Sequence, residues 1–188
     1  MPLRNDSDNW GGVAKTLHWS MAGLVFVELV LGWMAVAWPL TPTKLYLFIW
    51  HKSLGFVILF LVLIRLVWRF SGPRPRFPDS TTVWERWSAV IVHELLYAIL
   101  IFLPITGWLF NSAVDVPFRF FGWFRWPALI PPDQAQAHFL ADLHIFLGWS
   151  LVVLLSVHIL AALWHHAVGH DSTLRRMMPG VRVTPKGS

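Results

Sequence analysis

The chain has 188 residues, of which 56% are hydrophobic and 13% are charged, and its formal net charge is +5. Soluble domains usually carry about 25% charged residues, so the composition predicts an integral membrane protein. The chain contains no cysteine, which excludes disulfides, thiolate metal sites, iron–sulfur clusters and haem attached through cysteine.

Four apolar runs follow one another at about residues 18–39, 45–69, 87–110 and 143–166. Each can cross roughly 30 Å of hydrocarbon as a helix, and backbone groups in lipid must be satisfied internally. The connection between the first two runs is short, which makes them antiparallel neighbours. We predict one all-α membrane domain over residues 1–188, an up-down-up-down bundle of four transmembrane helices, with a kink at Pro104.

The basic residues predict the orientation of the bundle. Eleven of the 15 Lys and Arg residues lie on the side of the two termini and the second loop, and four lie on the other side. The positive-inside rule therefore places the tails, residues 1–15 and 168–188, in the cytoplasm. Because these charges flank the spans, they do not indicate binding to nucleic acid.

The loop between the third and fourth spans covers roughly residues 111–142 and contains "PFRFFGWFRWPALIPP". Its mixture of Phe, Trp and Arg with Pro and Gly is typical of a segment lying in the membrane interface. It is equally compatible with a cap over the bundle.

Histidines recur at two depths of the predicted bundle. His51 and His144 share the non-cytoplasmic level, and His18, His93 and His158 share the cytoplasmic level. His144 and His158 are fourteen residues apart, which places them near one helix face and roughly 21 Å apart along the axis. Polar side chains at membrane depth usually face the bundle interior and are functional candidates, although a lone His is commonly a hydrogen-bonded core residue.

The number of ligands at each level favours haem over other metal centres. Zinc requires about four protein ligands and copper or iron oxygenase sites about three, whereas the non-cytoplasmic level offers two histidines. Two imidazoles from opposing helices suit haem iron, whose equatorial ligands come from the porphyrin. We predict two bis-histidine haems. Depth alone leaves open whether His18 or His93 is the partner of His158.

Several motifs carry a resemblance to a known family. They are listed here with their positions: "HW" at 18–19, "HKSLG" at 51–55, "RLVWR" at 65–69, "HELLYAILIFLPITGW" at 93–108, the His144 and His158 pair, and "WHHAVGHDSTLRRMMPG" at 164–180. Over roughly residues 14–180 the chain resembles the bacterial di-haem cytochrome b561 family, most closely its superoxide:ubiquinone oxidoreductase (superoxide oxidase) branch. The Trp-rich loops and "PFRFFGWFRW" depart from the family pattern.

The resemblance implies specific ligand sets and an activity. It implies that His18 and His158 bind the cytoplasmic-side haem b through its iron, and that His51 and His144 bind the other haem. It also implies a location in the bacterial inner membrane, with electrons passing from superoxide on the non-cytoplasmic side to ubiquinone. Family members also serve as cytochrome subunits of separate dehydrogenases, so a redox donor protein is the alternative partner.

Two basic residues are candidates for supporting roles. Arg65 lies fourteen residues after His51, at the level of the cytoplasmic haem, where its guanidinium could hold a haem propionate. Lys52 could do the same for the other haem or attract an anionic substrate. Both could equally be span-end residues that extend to the membrane surface.

Three further residues are candidates for proton transfer. His93 and His165 lie near the cytoplasmic face, where quinone reduction would take up protons. For His93, a hydrogen bond to a propionate is the alternative. Glu28 lies mid-span and could relay protons or pair with an interior Ser or Trp. His166 and His170 are more typical of exposed residues. A histidine-lined metal transporter is a third class of function, but only Glu28 supplies a carboxylate along its path. The oligomeric state is not predicted.

Overall fold

The computed structural model describes residues 2–78 and 80–183, and long helices account for most of them. The elements in chain order are α1 (Gly12–Ala37), α2 (Pro42–Phe70), α3 (Val83–Ala113), β1 (Phe118–Phe120), β2 (Phe124–Trp126), α4 (Gln134–Ala167) and α5 (Thr173–Met177). Helices α1 to α4 are each long and apolar enough to cross a membrane. The prediction of an all-α protein with four membrane-crossing helices is confirmed.

Local sequence signals explain where the long helices begin. Pro42 is the first residue of α2, a position where the missing N–H costs nothing. Before α3, the Glu85 carboxylate accepts a hydrogen bond from the Thr82 backbone N–H at 2.7 Å, and Thr82 Oγ1 accepts one from the Glu85 N–H at 3.3 Å. This reciprocal pair is a capping box. Asp133 caps α4 by accepting a hydrogen bond from the Gln136 N–H at 2.8 Å.

The helices extend beyond the predicted spans at several ends. Helix α3 begins at Val83 rather than residue 87, and α4 begins at Gln134 rather than residue 143, because the caps at Thr82 and Asp133 lie further upstream. Helix α3 continues through Pro104 without interruption. Of the predicted tail 168–188, residues 168–183 are described and include α5, whereas residues 184–188 lie outside the described residues.

Large apolar side chains cover the outer surface of the helices. Examples are Trp33, Val67 and Trp149, which are 74%, 72% and 69% exposed. A soluble protein rarely exposes so continuous an apolar surface, whereas lipid tails cover one without cost. The outward faces therefore match a multi-pass membrane protein.

The chain divides into two compact units, each containing part of all four long helices. The hairpin unit consists of Met21–Val62 and Ala98–Leu151 and includes both strands. The terminal unit consists of Met1–Ser20, Leu63–Tyr97 and Val152–Ser188, of which residues 2–20, 63–78, 80–97 and 152–183 are described.

In the hairpin unit, the aromatic loop after α3 forms an antiparallel hairpin that the sequence did not predict. Phe118 pairs with Trp126, and the turn carries Phe121 and Gly122 at φ 48° and 81°. Such positive φ values favour glycine at the second position. Phe118 is buried and stacks on the ring of Phe56 with centroids 5.7 Å apart. The hairpin thus packs on α2 on one side, as a cap would, while other aromatic residues of the loop stay exposed.

In the terminal unit, side chains near the N-terminus form hydrogen bonds with the backbone of the C-terminal segment. Lys15 is only 2% exposed and donates from Nζ to the carbonyl oxygens of Met178 at 3.1 Å and Val181 at 2.6 Å. The Asn9 amide exchanges two hydrogen bonds with the backbone of Val183, at 3.0 and 2.9 Å. Because buried carbonyls need donors, Lys15 and Asn9 explain why this segment is ordered.

Candidate functional site

The hairpin unit brings together His51 of α2 and His144 of α4. Their ring centroids are 6.2 Å apart and the ring planes are nearly perpendicular, at 89°. Two imidazoles on opposite sides of one iron have centroids about 6 Å apart, because each metal–nitrogen bond is about 2 Å long and the ring centre lies about 1 Å further out. The spacing of the pair is therefore compatible with the binding of one haem iron, which stays a prediction.

The hydrogen bonds of His144 leave one ring nitrogen available. Its Nδ1 lies 3.1 Å from the carbonyl oxygen of Leu103 and 3.2 Å from Oγ1 of Thr106. A carbonyl can only accept, so Nδ1 carries the proton and Nε2 keeps its lone pair. Metal-binding histidines are commonly oriented in this way. Thr106 was not predicted from the sequence, although a Thr within an apolar span, two residues after Pro104, is a usable signal.

His51 has a carboxylate as its neighbour. Its Nδ1 lies 2.9 Å from Oε1 of Glu28, and both side chains are mostly buried, at 24% and 15% exposed. The two groups are at ion-pair distance but are not aligned for a hydrogen bond. Glu28 thus contacts a predicted haem ligand, rather than the interior Ser or Trp considered from the sequence.

Two helix glycines make room for these histidines. A Cβ on Gly32 would lie 3.0 Å from Cε1 of His51, and a Cβ on Gly107 would lie 3.0 Å from Cε1 of His144. Both distances are at the lower limit of real Cβ contacts. Gly32 and Gly107 are therefore part of the site. Periodicity within one helix cannot show which glycine of one span faces a histidine of another, so these two contacts were not predicted.

Lys52 is held inside the hairpin unit. Its Nζ donates to Oδ1 of Asn111 at 2.5 Å and lies 5.8 Å and 6.0 Å from the ring centroids of Phe48 and Phe118. Asn111 also donates to the carbonyl of Val116 at 2.9 Å, so it joins Lys52 to the loop before the hairpin. Lys52 therefore does not extend away from the protein, which was one of the alternatives for it.

The terminal unit gathers three histidines from α1, α3 and α4. The ring centroids of His18 and His158 are 6.1 Å apart, and those of His93 and His158 are 5.0 Å apart. Only the first distance matches two imidazoles on one iron, which is about 6 Å. His93 Nδ1 lies 2.5 Å from the Ala89 carbonyl of its own helix. The geometry favours His18 over His93 as the partner of His158.

Arg65 lies beside the His18 ring. Its Nε donates to the Tyr97 hydroxyl at 2.9 Å and its Nη1 donates to the Ala14 carbonyl at 3.2 Å. Its Nη2 is 3.3 Å from Nδ1 of His18. Among the described residues, no carboxylate lies within ion-pair distance of Arg65. The sequence did not identify Tyr97, which lies one turn after His93 and is thus on the same helix face.

Glu94 and His165 of the terminal unit each have a charged partner. Glu94 accepts a hydrogen bond from Arg69, and His165 Nδ1 lies 2.7 Å from the Asp171 carboxylate. Burial raises the pKa of Asp171, but hydrogen bonds from Thr173 and His165 outweigh it and hold that pKa below its usual range. His166 and His170 are exposed, as expected from the sequence. Within the described residues, no group of three or more His, Asp or Glu side chains is placed so that it could hold a metal ion by itself.

The chain is similar to several known proteins. A family model described as prokaryotic cytochrome b561 matches residues 9–180. The chain is 34% identical over 184 residues to cytochrome b561 homolog 2 of Escherichia coli (strain K12), with 95% of each chain covered. It is 30% identical over 174 residues to the probable superoxide oxidase CybB of Yersinia pestis, covering 88% of this chain and 93% of that protein. Cytochrome b561 homolog 1 of the same E. coli strain is 27% identical over 168 residues, covering 87% and 93%.

Proposed function

Because the chain belongs to the prokaryotic cytochrome b561 family, we propose that it is a di-haem b oxidoreductase that passes electrons from superoxide to ubiquinone. The family membership establishes a membrane electron-transfer protein and implies haem b, and it confirms the family resemblance and the four-helix bundle predicted from the sequence. The number of haems, the donor and the acceptor are our proposal.

The observation that carries the proposal is the presence of two histidine pairs with nearly equal spacing. His51 and His144 are 6.2 Å apart and His18 and His158 are 6.1 Å apart, measured between ring centroids. Each pair would supply both axial ligands of one haem. His144 and His158 both belong to α4, so one helix would carry one ligand of each haem.

The proposed haem near His18 also accounts for the surroundings of Arg65. An arginine can only donate, so its contact with Nδ1 of His18 places the imidazole proton on Nε2. Ligation through Nε2 requires that proton to move to Nδ1, and Arg65 must then turn to another acceptor. A haem propionate is such an acceptor, and a guanidinium can hold it with two hydrogen bonds.

Haem, when bound, supplies a one-electron couple, and the chain supplies entry for the donor and protons for the acceptor. Two superoxide ions lose one electron each and become two O₂, while one ubiquinone gains two electrons and two protons and becomes ubiquinol. Lys52 of the hairpin unit, with Arg119 and Arg125 on the paired strands, would attract the superoxide anion. His93 and the His165–Asp171 pair would deliver protons to the quinone.

The proposed orientation follows from the same charge asymmetry. Eleven of the 15 Lys and Arg residues lie on the side of the terminal segments. By the positive-inside rule, both termini would then lie on the cytoplasmic side of a bacterial inner membrane. The hairpin unit would then face the side from which superoxide arrives. A reporter fused to the C-terminus tests this placement, because an alkaline phosphatase fusion should be inactive and a fluorescent protein fusion active.

The proposal is tested with the purified protein. Reduced-minus-oxidised spectra should show haem b, and an enzymatic source of superoxide should reduce it and then reduce added ubiquinone. Superoxide dismutase should abolish both signals. Lys52→Gln should slow haem reduction most at low ionic strength, because steering of an anion is screened by salt. Absence of haem would overturn the whole proposal.

A second candidate function is an electron-transfer subunit that serves a separate dehydrogenase or soluble cytochrome. It is favoured by the exposed rim of the hairpin, where Trp123 is 77% and Phe124 is 49% exposed. Exposed aromatic side chains are common in protein interfaces. It also agrees with the relative at 34% identity, whose name states no superoxide activity. If the purified protein contains haem that superoxide does not reduce, the result would favour this second function over the first.

A further inference from the structure

The four predicted haem ligands have unequal electrostatic surroundings. Among the described residues, His51 is the only one of the four with a carboxylate within ion-pair distance, namely Glu28 at 2.9 Å. His144 instead faces the neutral Leu103 carbonyl and Thr106 hydroxyl. In the terminal unit, the charged neighbour of His18 is the cation of Arg65.

A carboxylate beside an axial imidazole changes the equilibrium between the two iron oxidation states. Bis-histidine ferric haem carries one more positive charge at the iron than ferrous haem, so a nearby anion stabilises the ferric form. The anion therefore lowers the reduction potential, and a nearby cation has the opposite effect.

The local packing keeps Glu28 at His51. A Cβ on Gly55 would lie 3.3 Å from Oε1 of Glu28, so the absence of a side chain there leaves space for the carboxylate. Lys52, the next residue after His51, is turned to Asn111 and makes no ion pair with Glu28. The second carboxylate oxygen of Glu28 is buried and has no partner among the described residues. The Glu28 carboxylate is thus directed at His51.

We propose that Glu28 is a positioning residue, which acts through His51 to lower the reduction potential of the haem bound in the hairpin unit relative to that of the haem bound in the terminal unit. This inference rests on the proposed function. With both haems bound, one electron would pass from the first haem, whose iron would be oxidised from ferrous to ferric, to the second, whose iron would be reduced from ferric to ferrous. No proton or bond changes place in this step. The contrast between Glu28 and Arg65 therefore makes electron transfer from the hairpin unit to the terminal unit favourable.

Potentiometric titration of the haem absorbance in the intact protein tests this inference. Glu28→Gln keeps the size of the side chain and removes its charge. We expect the lower of the two midpoint potentials to rise by at least about 59 mV, which corresponds to a tenfold change in the one-electron oxidation equilibrium constant. The upper midpoint potential should stay unchanged. Glu94→Gln is the matched control, because Glu94 pairs with Arg69 and should leave the lower midpoint unchanged.

Single-haem backgrounds assign the shift to a site. Glu28→Gln should raise the midpoint in protein that also carries His18→Ala and should leave it unchanged in protein with His51→Ala. Two bound haems with unshifted midpoints, or a shift of the upper midpoint, would overturn the role of Glu28 and leave the proposed function intact. A wild-type protein without haem would instead overturn the proposed function itself.

A more conservative variant covers the case in which Glu28→Gln binds no haem. Glu28→Asp keeps the charge and withdraws it by one methylene, so a smaller upward shift of the same midpoint is expected. An unshifted midpoint in Glu28→Asp would overturn the inference. Failure of both variants to retain the haem would also overturn it, because Glu28 would then hold the haem in place rather than set its potential.

Discussion

The two units contain similar histidine pairs in different surroundings. In the hairpin unit, the surroundings come from the membrane-crossing helices themselves: Gly32 and Gly107 allow close approach, and Glu28 and Leu103 contact the rings. In the terminal unit, a third histidine and an arginine crowd the pair. Equal ligand spacing therefore does not make the sites equivalent, and the differences lie in the residues that contact the ligands.

The largest expected effect is loss of one haem. His144→Ala should remove the haem of the hairpin unit, because one axial ligand is lost, and the double variant with His51→Ala should lose no more than either single variant. Haem extracted from purified protein and divided by protein amount measures this. If the double variant lost both haems, the two sites could not be separate, and the comparison between the units would fail.

A smaller effect is expected when a glycine beside a ligand gains one methyl group. In Gly107→Ala, the new Cβ would lie 3.0 Å from the His144 ring. The ring cannot easily move away, because its Nδ1 is held by the Leu103 carbonyl and the Thr106 hydroxyl. We expect partial loss of haem or lower thermal stability of the haem absorbance. The higher helix propensity of Ala than of Gly acts in the opposite direction and would by itself stabilise the helix by about 1 kcal/mol.

Gly23→Ala is the control for this substitution, because a Cβ there would meet no atom within 4 Å. It should keep the full haem content and be as stable as the wild type or more so. Equal behaviour of Gly23→Ala and Gly107→Ala would show that the close approach at His144 has no energetic importance.

The terminal unit offers a test that should not involve haem binding in the hairpin unit. Lys15→Met removes two donors from the carbonyls of Met178 and Val181, and leaving buried carbonyls unpaired costs about 1–3 kcal/mol. Trypsin should cut the C-terminal segment faster. Lys44→Met is the matched control, because Lys44 also donates to two carbonyls, of Val36 and Trp38, but these hydrogen bonds are exposed. Equal cleavage rates in both variants would contradict the role of Lys15.

The smallest effect is a pH dependence within the terminal unit. The pKa of Asp171 is held below its usual value of 3.8, so its carboxylate stabilises the folded protein above that pH, and the contribution is lost as pH falls through the lowered pKa. Asp171→Asn should therefore lower the melting temperature at neutral pH and leave it unchanged at strongly acidic pH. A difference that persisted in acid would assign the effect to packing instead.

The sequence predicted the features that depend on composition and on spacing within one helix. The four helices, the absence of cysteine chemistry and the positions of His144 and His158 on one helix all belong to this class. It did not predict features that depend on how one helix is rotated against another. Glu28 and His51 lie on different helices, and Gly107 and His144 likewise, so no periodicity could join them. The aromatic hairpin was missed because its Phe, Trp and Arg residues also suit a membrane interface.

The central claim is that each unit binds one haem between two histidines, and haem quantification in two matched variants tests it most directly. The wild-type protein should contain two haems b per chain. His18→Ala should reduce this to one, whereas His93→Ala should keep both, because only the 6.1 Å spacing of His18 and His158 suits one iron. One haem or none in the wild type, or loss of a haem in His93→Ala with both retained in His18→Ala, would contradict the claim.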